Sequence, residues 1–438
     1  MILGLPPILG FAPLLVYIVL SFRGMDVLTV VLICVILGAV LTGQTVLTFG
    51  QALAGALGSF LGLIGFIILM GSGTGEVLSQ TGIAQNIVHL VITKARVRTK
   101  QQAMIATMAT SVLLVGLLGS MAGSNAILAP IIIPIVASLG ITPSTLSVLL
   151  HGAGATGLYL GPFVPPVITT MALTKISYGQ YMLHIGVPIS IIVWICTFLV
   201  ARSVQKATEG KHSYSSEDMV AAGEGFKPTP GAVRGTWAFA ISIAVLIAYG
   251  IVARAGANYV IPVMLIVAFV SGVSAGFSFD QVLKALVKGG SRMYWIFFLF
   301  VLYDPFLNFV TASGAFTALA NYLKPLVDAG GPAVFMVVST LVGVFGVSGA
   351  AVAQEKIIDD MFKPLVAALN FPPHLWALVL LVGSQITFFA YPTGDMVGQM
   401  GLARSKDLKS MIKNGLIITA ATCGYVVVRS LVLAVTGK

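Results

Sequence analysis

Charge is scarce in this chain. Only 9% of its 438 residues are Asp, Glu, Lys or Arg, whereas 58% are hydrophobic; a soluble domain carries about 25% charged residues. That balance excludes an ordinary soluble enzyme or binding module. Acids are rarer than bases, 14 against 24, which leaves a net charge of +10. In a soluble protein such an excess would suggest nucleic acid. Here the bases fall mainly in loops between apolar runs, where they set orientation and meet anionic headgroups. A lipid bilayer is therefore the expected partner, and nucleic acid is not. Only three cysteines occur, Cys34, Cys196 and Cys423. Each is isolated in an apolar segment, without metal-ligand spacing or obvious pairing, so packing is their expected role.

Catalytic signatures are missing as well. No Walker sequence, zinc-ligand cluster or Ser/His/Asp arrangement appears, and neither an enzyme activity nor a cofactor is expected. Gly152-Ala153-Gly154-Ala155-Thr156-Gly157 matches G-x-G-x-x-G literally. It has no preceding strand and no βαβ surroundings, so close helix packing explains it better than a dinucleotide. His151 and His184 stand singly and read as buried or interfacial residues rather than ligands. The period-2 alternation of a membrane β-barrel is absent too.

What the chain does have is apolar runs near the ~20 residues that cross a bilayer, such as 237–252, 259–277 and 416–435 with their flanks. These describe an all-α polytopic membrane protein. Residues 1–20 are apolar without a preceding basic region, and Arg23 follows them, so they read as a first membrane helix rather than a cleaved signal. Further helices are expected at 8–22, 27–41 and 55–70, with an amphipathic piece at 83–92. Hairpin arms follow at 102–118 and 126–138, then an interrupted helix over 144–173 and a span over 182–201. The second half repeats this plan with spans at 237–252, 259–277 and 294–310 and an amphipathic piece at 317–323. Its hairpin arms lie at 332–345 and 356–368, its interrupted helix at 375–402 and its last span at 412–435.

The repeat has a fixed offset. Gly116 and Gly346, Gly119 and Gly349, Pro134 and Pro364, Pro143 and Pro373, and Pro162 and Pro392 are each 230 residues apart. The chain thus divides into a first repeat (1–201), a polar linker (202–236) and a second repeat (237–438). Loop charge sets the sense of the two copies. Residues 94–100 carry four bases, whereas their counterparts 324–330 keep only Lys324 and add Asp328. Conversely Arg404, Lys406, Lys409 and Lys413 have only Lys175 in the matching stretch. Opposite sidedness makes the repeats inverted, each with a re-entrant helical hairpin and a broken transmembrane helix, as in secondary transporters. Arg254, in a loop placed outside, is the exception.

Candidate site residues lie at the interruptions. The first tip, Gly119-Ser120-Met121-Ala122-Gly123-Ser124-Asn125, joins glycines that permit a tight turn to Ser and Asn oxygens suited to Na⁺ or a carboxylate. The second tip includes Ser348, Gly349, Gln354 and Glu355, with Glu355 at the position of Asn125. Glu355 and Asp359 share a helix face, and Lys356 with Asp360 forms a neighbouring i,i+4 pair. Ionisable groups inside a membrane are costly and point to function; the alternative for Lys356 and Asp360 is a structural ion pair. Gly161 and Pro162 mark the first broken helix, with Thr156 one turn before. Thr393 and Asp395 mark the second, where Asp395 could carry a cation or cap the following helix. Glu76 and Asp304 are further acids near membrane segments, open to a coupling or a structural role.

At Gly119-Ser120, Gly123-Ser124-Asn125, Pro130, Pro134, Gly161-Pro162 and Pro165-Pro166 the chain resembles the ion transporter superfamily. That group includes divalent-anion/sodium symporters and the large membrane subunit of tripartite carboxylate (TRAP) transporters. Ser124-Asn125 is similar to the Ser-Asn opening of the symporters' tip motif. The resemblance implies Na⁺ or H⁺ as coupling ion at the tips, with Ser124, Asn125, Glu355 and Asp395 as candidate Na⁺ ligands. It also implies a small-molecule substrate between the tips, and a rigid scaffold beside a moving transport unit. The charged second tip departs from the family pattern, which has a neutral tip there. The reading is a cation-coupled transporter of a small organic anion, a carboxylate, in a bacterial-type cytoplasmic (inner) membrane. The alternatives are a cation/proton antiporter, a carrier of a cationic metabolite, or a TRAP-type subunit needing a substrate-binding protein. An intramembrane enzyme built on Glu355, Asp359 and Asp395 is a further class, and the duplication argues against it. A homodimer stays open.

Overall fold

Helix starts in this chain are set by short polar residues that relieve the unpaired N–H groups of a first turn, which a bilayer cannot hydrate. Asp26, Ser59, Ser120 and Thr142 each accept a backbone N–H three residues on, and Thr99 forms a reciprocal capping box with Gln102. The structure, a computed structural model, describes residues 6–23, 25–95, 98–211, 213–215, 227–253, 255, 257–346 and 351–436. Ser348, Gly349 and Arg254 lie outside the described residues, as do 96–97 of the basic loop.

Among the described residues the protein is entirely helical, and eight helices are long and apolar enough to cross a membrane. The first half contains α1 (Ala12–Phe22), α2 (Val27–Thr42), α3 (Val46–Ala56), α4 (Phe60–Gln80) and α5 (Ile83–Ala95). It continues with α6 (Lys100–Leu118), α7 (Met121–Ser138), α8 (Pro143–Leu160), α9 (Pro165–Thr174) and α10 (Tyr178–Thr208). The second half contains α11 (Pro230–Val252), α12 (Val260–Ser274), α13 (Phe279–Ser291), α14 (Tyr294–Ala312) and α15 (Ala315–Leu341). It ends with α16 (Ala351–Ala368), α17 (Pro373–Ala390), α18 (Gly394–Leu402) and α19 (Leu408–Thr436). The helices α8 and α9 meet at a bend of 42° across a short break, and together they are long and apolar enough to cross. Pro165 and Pro166 open α9 and hold Val164 extended.

Several expected boundaries move. The helix expected at 55–70 is two, because α3 ends at Ala56 and Ser59 starts α4, which runs on past Glu76. The helix α13 was not expected; its apolar face is short and alternates with charge. The second amphipathic piece and hairpin arm form α15, broken only at Gly331 (φ 64°) before Pro332. The polar linker is shorter than 202–236, since α10 continues to Thr208 and α11 begins at Pro230. It is also tied down: Tyr214 is buried and donates to Ala403 O at 2.9 Å.

Helix boundaries repeat at the offset found in the sequence. Ser138 and Ala368 close α7 and α16, and Pro143 and Pro373 open α8 and α17. Packing is reciprocal too. The helix α9 lies against α16 and α17, while α18 lies against α7 and α8.

Loops gather at two ends. At one, Gln205 accepts from Thr142 N–H at 3.1 Å and donates to Gly140 O at 2.8 Å. Lys100 there pairs with Glu209, and Lys413 reaches Ser203. At the other end of α10 the His184 ring lies 5.2 Å from that of His374, and Lys175 approaches Phe371 and Trp376 around a cavity. The loop after α7 and the loop after α16 therefore sit at opposite ends of α10.

Small residues let α6 and α8 touch. A Cβ on Gly161 would stand 2.4 Å from Gly116 O, and one on Gly157 2.6 Å from Val115 Cβ. Likewise a Cβ on Gly152 would meet Thr197 Oγ1 at 2.2 Å. The G-x-G-x-x-G run is a packing surface.

Candidate functional site

The first interruption is built on caps. Gly119 closes α6 in a left-handed conformation (φ 69°), and Ser120 accepts Gly123 N–H at 3.2 Å. That cap starts α7 at Met121, so the expectation of a non-helical tip through Asn125 is corrected. Gly123, Ser124 and Asn125 belong to the first helical turns. Asn125 is fully buried, and its Oδ1 accepts from Ser111 Oγ at 2.7 Å. Its Nδ2 donates to Leu150 O at 3.2 Å and to Gln399 Oε1 at 2.8 Å. The last bond crosses from one half to the other. Ser124 Oγ and Gln399 Nε2 are buried beside this network and have no hydrogen-bond partner among the described residues.

The described residues of the second tip, in α16, carry different chemistry. Glu355 is fully buried in α16 and accepts a hydrogen bond from Thr170 Oγ1 of α9, again across the halves. Its Oε2 has no partner and its carboxyl no ion pair among the described residues. Gln354 donates through Nε2 to Gly343 O (2.9 Å), Gly383 O (3.0 Å) and Thr387 Oγ1 (2.7 Å), stitching α16 to its neighbours. One turn beyond Glu355, the buried Asp359 accepts from Trp376 Nε1 at 2.8 Å. Lys356 and Asp360 form the expected ion pair.

The remaining expected site residues fall into place around these two. Thr393 caps α18 by accepting Met396 N–H at 3.3 Å, so the capping role weighed for Asp395 belongs to Thr393. Asp395 lies in the same first turn, one turn before Gln399, and is half-buried. Thr156 shares no hydrogen bond with either network among the described residues: it accepts from Trp194 Nε1 at 2.8 Å and anchors α10 on α8. Gly161 and Pro162 supply close packing and the bend. The candidate Na⁺ ligands fall in different hydrogen-bond networks: no hydrogen bond joins Asn125 with Glu355 or Asp395 among the described residues.

Glu76 has a structural assignment. It binds Lys288 Nζ at 2.9 Å and Arg292 Nη1 at 2.7 Å, and receives Gln80 Nε2 at 2.6 Å, clamping α4 to α13. Asp304 accepts from Asn308 Nδ2 at 2.9 Å. Outside the membrane-spanning helices, the Lys100 ammonium beside Glu209 holds its carboxyl below the usual carboxylate range.

A cavity of about 540 Å³ opens beside Asp359, between the end of α9, α16 and the start of α17. Lys175, Lys356 and Lys363 line it together with Asp359. Sequence reasoning passed over Thr170, Gln399, Ser111 and Lys363, and took Lys175 only as a loop charge. One signal was available: Gln399 stands 230 residues after Thr169, a polar pair in matching apolar segments. Among the described residues no group of three His, Cys, Asp or Glu is placed to hold a metal. No protein-family model matches this chain, and a search of curated proteins returns no significant match.

Proposed function

We propose that the protein is a cation-coupled secondary transporter that moves a small organic carboxylate across a cytoplasmic-type membrane. The observation that carries this reading is Glu355, a fully buried carboxyl with one hydroxyl donor and no countercharge among the described residues. Burying an uncompensated carboxylate is too costly to be structural, so a coupling cation or proton neutralises it in use.

The reading treats the halves as inverted repeats. Supporting it, matching loops at 139–142 and 369–372 lie at opposite ends of α10, and α9 and α18 exchange contacts with the opposite half. It also treats α6 with α7 as re-entrant. Each of the two is long and apolar enough to cross, and what supports the pairing is the tight turn at Gly119 and Ser120 that joins them. Interrupted helices that meet within a membrane place polar groups where a substrate and its ion can be exchanged between the two sides. Lysines around the adjacent cavity favour an anion.

The test is uptake by proteoliposomes. Labelled carboxylates should accumulate under an imposed Na⁺ or H⁺ gradient, and dissipating that gradient should stop accumulation. Failure of every carboxylate together with robust Na⁺/H⁺ exchange would overturn the proposal in favour of an antiporter.

A further inference from the structure

The cavity beside Asp359 has a composition that selects among carboxylates. Its charged lining is Lys175, Lys356, Lys363 and Asp359. Lys356 is engaged by Asp360, whereas none of the ion pairs among the described residues involves Lys175 or Lys363. The three lysines line the cavity with one acid, Asp359, while Asp360 answers Lys356 from outside the lining, and one positive charge is left over. Apart from Thr174 the rest of the wall is apolar, and it includes three aromatic rings, Phe60, Phe371 and Trp376. A volume of about 540 Å³ suits a small metabolite with a body to bury.

Lys175 carries a second sign of a built site. It closes α9 with φ 61°, a left-handed conformation that usually falls to Gly or Asn and costs a side-chain-bearing residue about 1 kcal/mol. Arg404 takes the same conformation just beyond α18, and Lys175 differs from it in lining the cavity.

We infer that this cavity binds a monoanionic carboxylate with an apolar body, its carboxylate between Lys175 and Lys363 and its hydrocarbon against Phe371 and Trp376. The inference rests on the carboxylate reading above and narrows it: a small dianion such as succinate would leave one charge uncompensated and would not fill the apolar wall.

The experiment measures binding of hexanoate, succinate and hexylamine to the detergent-purified full chain by calorimetry, with Na⁺ present and at two pH values, beside uptake in proteoliposomes. Hexanoate should bind about tenfold or more tightly than succinate, and Lys363→Ala should weaken it about tenfold. Lys175→Gly is the diagnostic variant. It relieves the left-handed strain, so the protein should melt no lower than the parent while hexanoate binding weakens by a similar factor. Lys284→Ala, an exposed lysine paired with Asp280 away from the cavity, should change nothing. Succinate binding as tightly as hexanoate would overturn this inference and leave carboxylate transport standing. Hexanoate binding that ignores both lysine variants would overturn the site. Binding of hexylamine alone, with no carboxylate taken up, would overturn both this inference and the transport proposal.

Discussion

Asn125 and Glu355 occupy corresponding positions in the two halves, are equally buried, and each reach a polar residue of the opposite half's interrupted helix. They differ in what that environment supplies. Asn125 is surrounded: a hydroxyl, a backbone carbonyl and an amide satisfy both ends of its side chain. Glu355 receives one hydroxyl, and its second oxygen faces no partner among the described residues. The same backbone position thus holds a closed network in one half and an open one in the other. A satisfied buried network rigidifies, whereas an incomplete one asks for a ligand. The same frame recurs in the two halves, and side-chain chemistry closes one copy and leaves the other open, as the proposed coupling role requires.

That comparison is open to attack, most strongly at Glu355. Glu355→Gln should abolish gradient-driven accumulation, a loss of about 100-fold or more, because a neutral amide neither loads nor releases a cation. Proteoliposome uptake measures this. Melting temperature should stay level or rise, since a buried acid has been replaced by a neutral group. A variant that still accumulates substrate would end the assignment of roles.

Asn125→Leu should do the reverse. It strands Ser111, Leu150 O and Gln399 in the interior, at a cost of about 3 kcal/mol read from thermal unfolding in detergent. Gln399→Leu should cost less, because Asn125 keeps two of its partners. Gly161→Ala tests the frame common to both networks. With Gly116 O 2.4 Å from the new Cβ, α6 and α8 must separate, for a penalty of about 1–3 kcal/mol.

Glu76→Gln comes next in size. Glu76 is buried but Lys288 and Arg292 are more than half exposed, so losing the clamp should cost about 1 kcal/mol and leave coupling untouched. Loss of coupling in that variant would mean that the open site extends to α4. The smallest effect belongs to Glu209→Gln, at an exposed pair. Lys100 depresses the Glu209 carboxyl in the folded protein. Any stabilisation is therefore fully present above the ordinary carboxylate range and lost as pH falls through the depressed value. At neutral pH and physiological salt the melting temperature should scarcely move.

Much of this was legible before any coordinates. Gly and Pro spacing located the first interruption, the breaks after α8 and α17, and the offset at which helix boundaries recur, because those residues restrict the backbone wherever they stand. Loop lysines and arginines predicted which loops share an end, and Lys356 with Asp360 followed from helical periodicity. Boundaries at the tips were less legible: whether Ser120 or a later residue starts α7 depends on which hydroxyl reaches a free N–H. The amphipathic α13 was hidden for a similar reason, being short, mixed in charge and paired with a helix more than 200 residues away.

The sequence by itself determined an all-helical membrane chain, its two halves and the pair of positions where they differ. These follow from composition, period and backbone restriction, all local properties. Only the tertiary structure decided that Asn125 is answered by Gln399 and Glu355 by a single threonine, that Glu76 is a clamp, and that Lys175 and Lys363 share a cavity with Asp359. Each of those depends on side chains brought together across long separations in the chain, where burial turns an unmade hydrogen bond or an unpaired charge into the dominant energy.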